Sequence, residues 1–268
     1  MRRPWSRRRV LVALIDVFIL APIVITASVS FNAVNQSKFP PLGFSLRWWR
    51  EALAWRWLQP LGFSVQLSTT AAVVATLLGL PLAFALVRGR FPGRAVLEAL
   101  ALGPLVLPAL VTGIALLQFL QLAGLGGLYG FPALLLGHVV ICLPFTVRTI
   151  AISLRGLPAL AERAALSLGA SRVRTFVAIT LPLIKSGLFA GAVFAFIQSF
   201  TDYSISLFLA RAGEQPISVT ILSALEFGFT PTLAAVAVLT LAVPLVLILV
   251  VQHFFRIGDF IYGAETRA

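Results

Sequence analysis

Charge is scarce in this sequence. Asp, Glu, Lys and Arg make up 11% of its 268 residues, while 59% are apolar and the mean hydropathy is +0.99. A soluble domain carries about 25% charged and about 45–50% apolar residues. So few polar side chains cannot cover a water-facing surface, and the spare apolar surface must face lipid. The single cysteine, Cys142, excludes an intramolecular disulfide and a cysteine-based metal cluster. His138 and His253 stand far apart, so no His-Glu-x-x-His centre exists and no metal ligand set is expected. A Gly-x-x-x-x-Gly-Lys-Ser/Thr phosphate loop is also missing. Acidic residues number nine against 21 basic ones, a net charge of +12. The arginines cluster between apolar runs rather than on one soluble face, which argues against a nucleic-acid partner.

What is abundant is long apolar sequence. Six runs are long enough to cross a membrane: Val10–Ser30, Phe63–Val87, Ala95–Leu120, Pro132–Ile152, Leu183–Leu209 and Leu233–Val251. The first has 21 residues, about 31 Å of helix. A signal peptide's apolar region is only about 7–15 residues, so this run reads as a retained span despite the small residues of Ala27-Ser-Val. Pro22, Pro81, Pro104, Pro108, Pro144 and Pro244 fall inside runs. A membrane bundle tolerates them because neighbouring helices satisfy the freed backbone groups. Small residues such as Gly187 and Gly191 permit close helix contact.

With the N-terminus inside, sixteen of the 21 Lys and Arg residues fall in internal segments and five in external ones. That asymmetry predicts both termini in the cytoplasm. The chain reads as one membrane domain over 1–268: a first span and external loop to residue 60, then a five-span core over 61–255. Trp48, Trp49, Trp55 and Trp57, with Arg47, Arg50, Glu51 and Arg56, predict an amphipathic helix at the outer membrane surface.

The largest internal segment, residues 153–182, lies between the fourth and fifth spans. Pro158 suits the first turn of a helix. Leu157, Leu160 or Ala161, Ala164 and Leu168 then recur on one face, with Glu162 and Arg163 pointing elsewhere. Gly169 suits a left-handed cap, with Arg172 and Arg174 just beyond. Pattern alone leaves two readings open: a helix lying on lipid, or one docking into a cytoplasmic partner.

This stretch resembles the cytoplasmic signature of permease subunits of binding-protein-dependent ABC importers. That signature runs Glu-Ala-Ala, three residues, Gly, nine residues, Ile, one residue, Leu-Pro. Ala164, Ala165, Gly169, Ile179, Leu181 and Pro182 match it. Arg163 stands where the Glu belongs, with Glu162 one residue earlier. Pro22-Ile-Val, Ser30-Phe31-Asn32, Phe44-Ser-Leu-Arg-Trp-Trp and Ser199-Phe-Thr-Asp-Tyr-Ser resemble the spermidine/putrescine permease group. Ferric iron, thiamine and aminoethylphosphonate permeases share much of this.

The resemblance implies an all-α, type I importer permease of six spans in the bacterial inner membrane. It implies no chemistry and no cofactor in this chain, with ATP and magnesium bound by a separate ATPase. Implied partners are a second, related permease chain, two cytoplasmic ATPases, a periplasmic binding protein and membrane lipid. The segment around Glu162, Arg163, Ala164, Ala165, Gly169, Ala170 and Ser171 would sit in an ATPase cleft.

Ionisable and polar residues inside spans are pathway candidates. Asp202 beside Tyr203, with Gln198, suits a cationic amine ligand. The plainer reading is an interfacial or paired Asp202. Asp16 is read as a helix or subunit contact, Glu98 as an ion pair with Arg94, His138 as packing, and Gln118 as pathway-lining or hydrogen-bonded across helices. An ion-coupled secondary transporter would need midplane carboxylates and repeated halves, and neither is evident.

Overall fold

The structure, a computed structural model, describes residues 5–255, all of whose regular elements are helical. Arg2, Arg3, Arg256 and Arg267, which enter the orientation argument, lie outside the described residues. In chain order the helices are α1 (Trp5–Val29), α2 (Arg47–Ala52), α3 (Trp55–Arg88), α4 (Arg94–Leu102), α5 (Ala109–Leu122), α6 (Phe131–Arg155), α7 (Ala159–Ser167), α8 (Arg172–Thr175), α9 (Leu181–Thr201), α10 (Ser204–Leu209), α11 (Ile217–Leu225) and α12 (Pro231–Phe255). Five helices among the described residues are long and apolar enough to span a membrane, and a sixth span results if α4 and α5 count as one.

That pair departs from the single span expected over Ala95–Leu120. The two halves meet at 110° across a short break. Pro104 and Pro108 supply the cause, since neither has an N–H to carry a helix through, and Gly103–Leu105 tightens into a 3-10 turn. The fifth run breaks too, because α9 ends at Thr201 and α10 begins at Ser204.

The chain divides into two compact units, Met1–Leu61 with Thr220–Val243, and Gly62–Val219 with Pro244–Ala268. The smaller is organised by Asn32, which is fully buried. Its Nδ2 donates to the carbonyls of Gln36 (2.9 Å) and Lys38 (3.4 Å), and its Oδ1 accepts from the backbone N–H of Leu42 at 3.0 Å. The Trp48 indole donates to the Asn32 carbonyl at 2.7 Å. Trp48 is therefore buried in a structural role, Trp57 is buried with its indole nitrogen unpartnered, and Trp55 is exposed. The tryptophan-rich segment is not one surface helix but α2, a turn, and the start of α3.

In the larger unit α6 and α9 pack most closely. A Cβ on Gly191 would lie 3.2 Å from Thr146 Cα, so glycine sets the approach of the two backbones. At the arginine-bearing end of these helices the core is Leu86, Ala101, Val147, Ile150, Leu154 and Ile184. Glu98 and Arg94, expected to pair, form no ion pair among the described residues. Glu98 instead lines an open cavity of about 350 Å³ with Arg148 and Arg155, and Arg94 Nε is buried without a hydrogen-bond partner.

Candidate coupling segment

Residues 156–182 form a capped helix, a tight turn and a second helix, each with a local cause. Pro158 stands at the N-cap of α7, one place before the position its spacing suggests. Gly169 has φ +85°, a conformation that side-chain-bearing residues avoid. It lets the Gly169 N–H reach the Leu166 carbonyl at 3.0 Å and the Ala170 N–H reach the Ala165 carbonyl at 3.1 Å. This pair of bonds is the Schellman closure, which satisfies carbonyls the helix end would otherwise orphan. Ser171 then starts α8, its hydroxyl accepting from the Arg174 N–H at 3.2 Å.

From Arg172 to Thr201 the chain stays helical, but Phe176–Thr180 widens into a π turn. Pro182 follows at once and has no N–H to give the preceding turn. Ile179 lies in the π turn and Leu181-Pro182 open α9, so the second half of the motif marks a helix defect. Such single-turn defects concentrate at functional sites.

α7 has two unlike faces. Leu160, Ala164 and Leu168, at i, i+4 and i+8, are exposed, with Leu160 76% and Leu168 89% open. Arg163, Ser171 and Pro182 are also exposed. Ala161, Glu162 and Ala165 are half-buried, as is Ala170 beyond the helix. The Glu162 side chain, only 14% exposed, meets two groups from other helices. Both guanidinium Nη atoms of Arg88 donate to its two carboxylate oxygens in a fork. The Thr180 hydroxyl donates to Oε1 at 2.6 Å. Burial opposes the Glu162 charge, but the hydrogen bonds from Arg88 and Thr180 prevail and hold its carboxyl below the usual carboxylate range. Beside this cluster an open cleft of about 430 Å³ is lined by Phe84, Leu166, Arg172 and Phe176.

The proposed ligand residues do not share one surface. Asp202 is 6% exposed, and its carboxylate accepts from the backbone N–H groups of Ile205 (3.1 Å) and Ser206 (3.2 Å). It caps the helix that restarts after the break, and lies 3.8 Å from His138 Nε2. Tyr203 points outward and Gln198 is half-buried. Gln118 and Asp16 are exposed. His138, read as packing, is buried but hydrogen-bonded at both nitrogens, to Ser199 and Ser206. No group of three metal-ligating side chains occurs among the described residues.

Among the described residues, apolar helices of spanning length with a short capped, half-exposed helix between two of them mark a multi-pass membrane protein. The chain belongs to the family of binding-protein-dependent transport system inner membrane components, which residues 75–257 match. It is 33% identical over 251 residues to the putrescine transport system permease protein PotI of Escherichia coli K12, covering 90% of this chain and 87% of the relative. It is 31% identical over 243 residues to the spermidine/putrescine transport system permease protein PotC of the same strain, covering 89% and 90%. The fold also matches a bacterial alginate ABC transporter solved with its alginate pentasaccharide-bound periplasmic protein. There the TM-score is 0.71 at 15% identity, with 95% of each chain covered. The chain is thus an ABC importer permease, a multi-pass membrane protein of the type I permease fold.

Proposed function

We propose that this chain forms half of the translocation pathway for a polyamine, putrescine or spermidine, in a transporter energised by a separate ATPase. The relatives' substrates support the ligand class. The observation that carries the energising role is the exposed stripe of Leu160, Ala164 and Leu168 on a helix fixed from behind by Glu162. An apolar stripe on a helix too short to span needs a cover, and a cleft in a cytoplasmic ATPase supplies one. On this reading the arginine-bearing ends of α3 and α6 face the cytoplasm, as the basic-residue asymmetry predicts. ATP and magnesium belong to the ATPase, a related permease completes the pathway, and a periplasmic binding protein delivers the ligand. Tyr203, the exposed member of the three, faces the pathway on this reading, with Asp202 fixing the break that presents it and Gln198 on the helix before it. The whole chain acts as one membrane domain, with 153–182 as its coupling segment.

The test is ATP hydrolysis and uptake by the complex reconstituted in proteoliposomes. Putrescine, spermidine, ferric iron, thiamine and aminoethylphosphonate are offered in turn. A polyamine alone should stimulate both. Stimulation by another ligand refutes the polyamine assignment, and uptake driven by an ion gradient without ATP refutes the ATPase-driven mechanism.

A further inference from the structure

We infer that Glu162 is a positioning residue that carries displacement of α7 into two spans at once, through Arg88 and Thr180. The inference rests on the reading of α7 as the docking helix. α7 joins its neighbours through two short links, each containing a glycine, Gly156 after α6 and Gly169 before α8. Neither link reaches α3, whose connection to α7 is made by a side chain. Arg88 is the last residue of α3, and its two-pronged grip on Glu162 fixes orientation as well as distance. Thr180 closes the π turn from which α9 rises, and its hydroxyl donates to the same carboxylate.

One carboxylate thus joins the end of one span to the helix defect that begins another. A π turn departs from the regular helical hydrogen-bond pattern and is frequent at functional sites. Movement of α7 then displaces the end of α3 and the base of α9 together. The arrangement also separates the two charged residues of the motif. Arg163 is outside, free for a partner, while Glu162 is committed within.

A merely structural Glu162 would alter stability and leave the coupling ratio intact, so the readout is solute moved per ATP hydrolysed. The complete transporter, with putrescine as probe, is reconstituted with Glu162→Gln, Thr180→Val, and the reversed pair Glu162→Arg/Arg88→Glu. The ATPase should still co-purify with Glu162→Gln, while uptake per ATP falls by about fivefold or more, the lower bound of ordinary coupling between sites. Thr180→Val should fall less, and the reversed pair should recover part of the loss. An unchanged ratio in Glu162→Gln overturns the inference. Release of the ATPase by Glu162→Gln also overturns it, by assigning Glu162 to the docking face.

A second measurement needs no partner. Spin labels at Leu168→Cys and Arg90→Cys, in a Cys142→Ala background in nanodiscs, should give one narrow distance distribution that Glu162→Gln broadens. An unchanged distribution overturns the tie. If the wild-type chain holds no ATPase, the docking reading fails and the coupling role with it, while the label distances still decide the tie.

Discussion

His138 and Ser199 share a 2.7 Å hydrogen bond between Nδ1 and Oγ, with both side chains sealed from solvent. The other ring nitrogen lies 3.0 Å from Ser206 Oγ, and the Ser206 N–H donates to Asp202. One imidazole thereby pins α6, the end of α9 and the start of α10. His138→Ala would leave a cavity and unpartnered hydroxyls, a loss of about 2–4 kcal/mol. Thermal unfolding of the purified chain in nanodiscs should show it, and an unchanged midpoint would refute the pinning role.

Asn32 orders the loop after α1 in the way His138 orders the break after α9. Asn32→Ala removes the acceptor of the Leu42 N–H and the donor to Gln36 and Lys38, costing about 1–3 kcal/mol locally. Lys38 is exposed in that loop. Trypsin should cut after Lys38 faster in the variant than in the parent chain, and equal rates would count against the assignment.

Glu214 accepts from the backbone N–H of Phe131 at 2.6 Å, at the N-terminus of α6, and from Arg211 at 2.7 Å. The Phe131 bond first, and Arg211 second, lower its pKa below the ordinary 4.5. Its contribution to stability is therefore complete above pH 4.5 and is lost as pH falls through the lowered value. The stability gap between the parent and Glu214→Gln should be flat above pH 4.5 and close below it. A gap that widens in acid would reverse the assignment.

Run length made the spans legible, because lipid demands about twenty apolar residues and little else satisfies it. The same logic hid the right-angle bend. Pro104 and Pro108 are visible in the sequence, but bundles often absorb such prolines, and only the packed helices show that this one does not. The links through Asp202 and Glu162 were illegible for a different reason. Asp202 answers to helix N–H groups created by a break, and Glu162 to an arginine far away in the chain. One signal for Glu162 was present, since at helical spacing it falls opposite the 160, 164 and 168 stripe. A carboxylate on that face of a short helix requires a partner, and the partner is Arg88, the last residue of α3.

Gly169 separates strain from docking. At φ +85° a β-branched side chain is disfavoured by about 1–2 kcal/mol, whereas asparagine tolerates that conformation. A Cβ there meets no atom within 4 Å, so neither substitution clashes inside the chain. Gly169→Val should loosen the Schellman closure and lower thermal stability modestly, while Gly169→Asn should leave the isolated chain near the parent. If the exposed side of α7 is seated in an ATPase cleft, the added amide of Gly169→Asn enters that contact. ATPase recovered with the permease should then drop although the permease itself is stable. Full recovery with Gly169→Asn would remove Gly169 from the docking surface and confine its role to ending the helix.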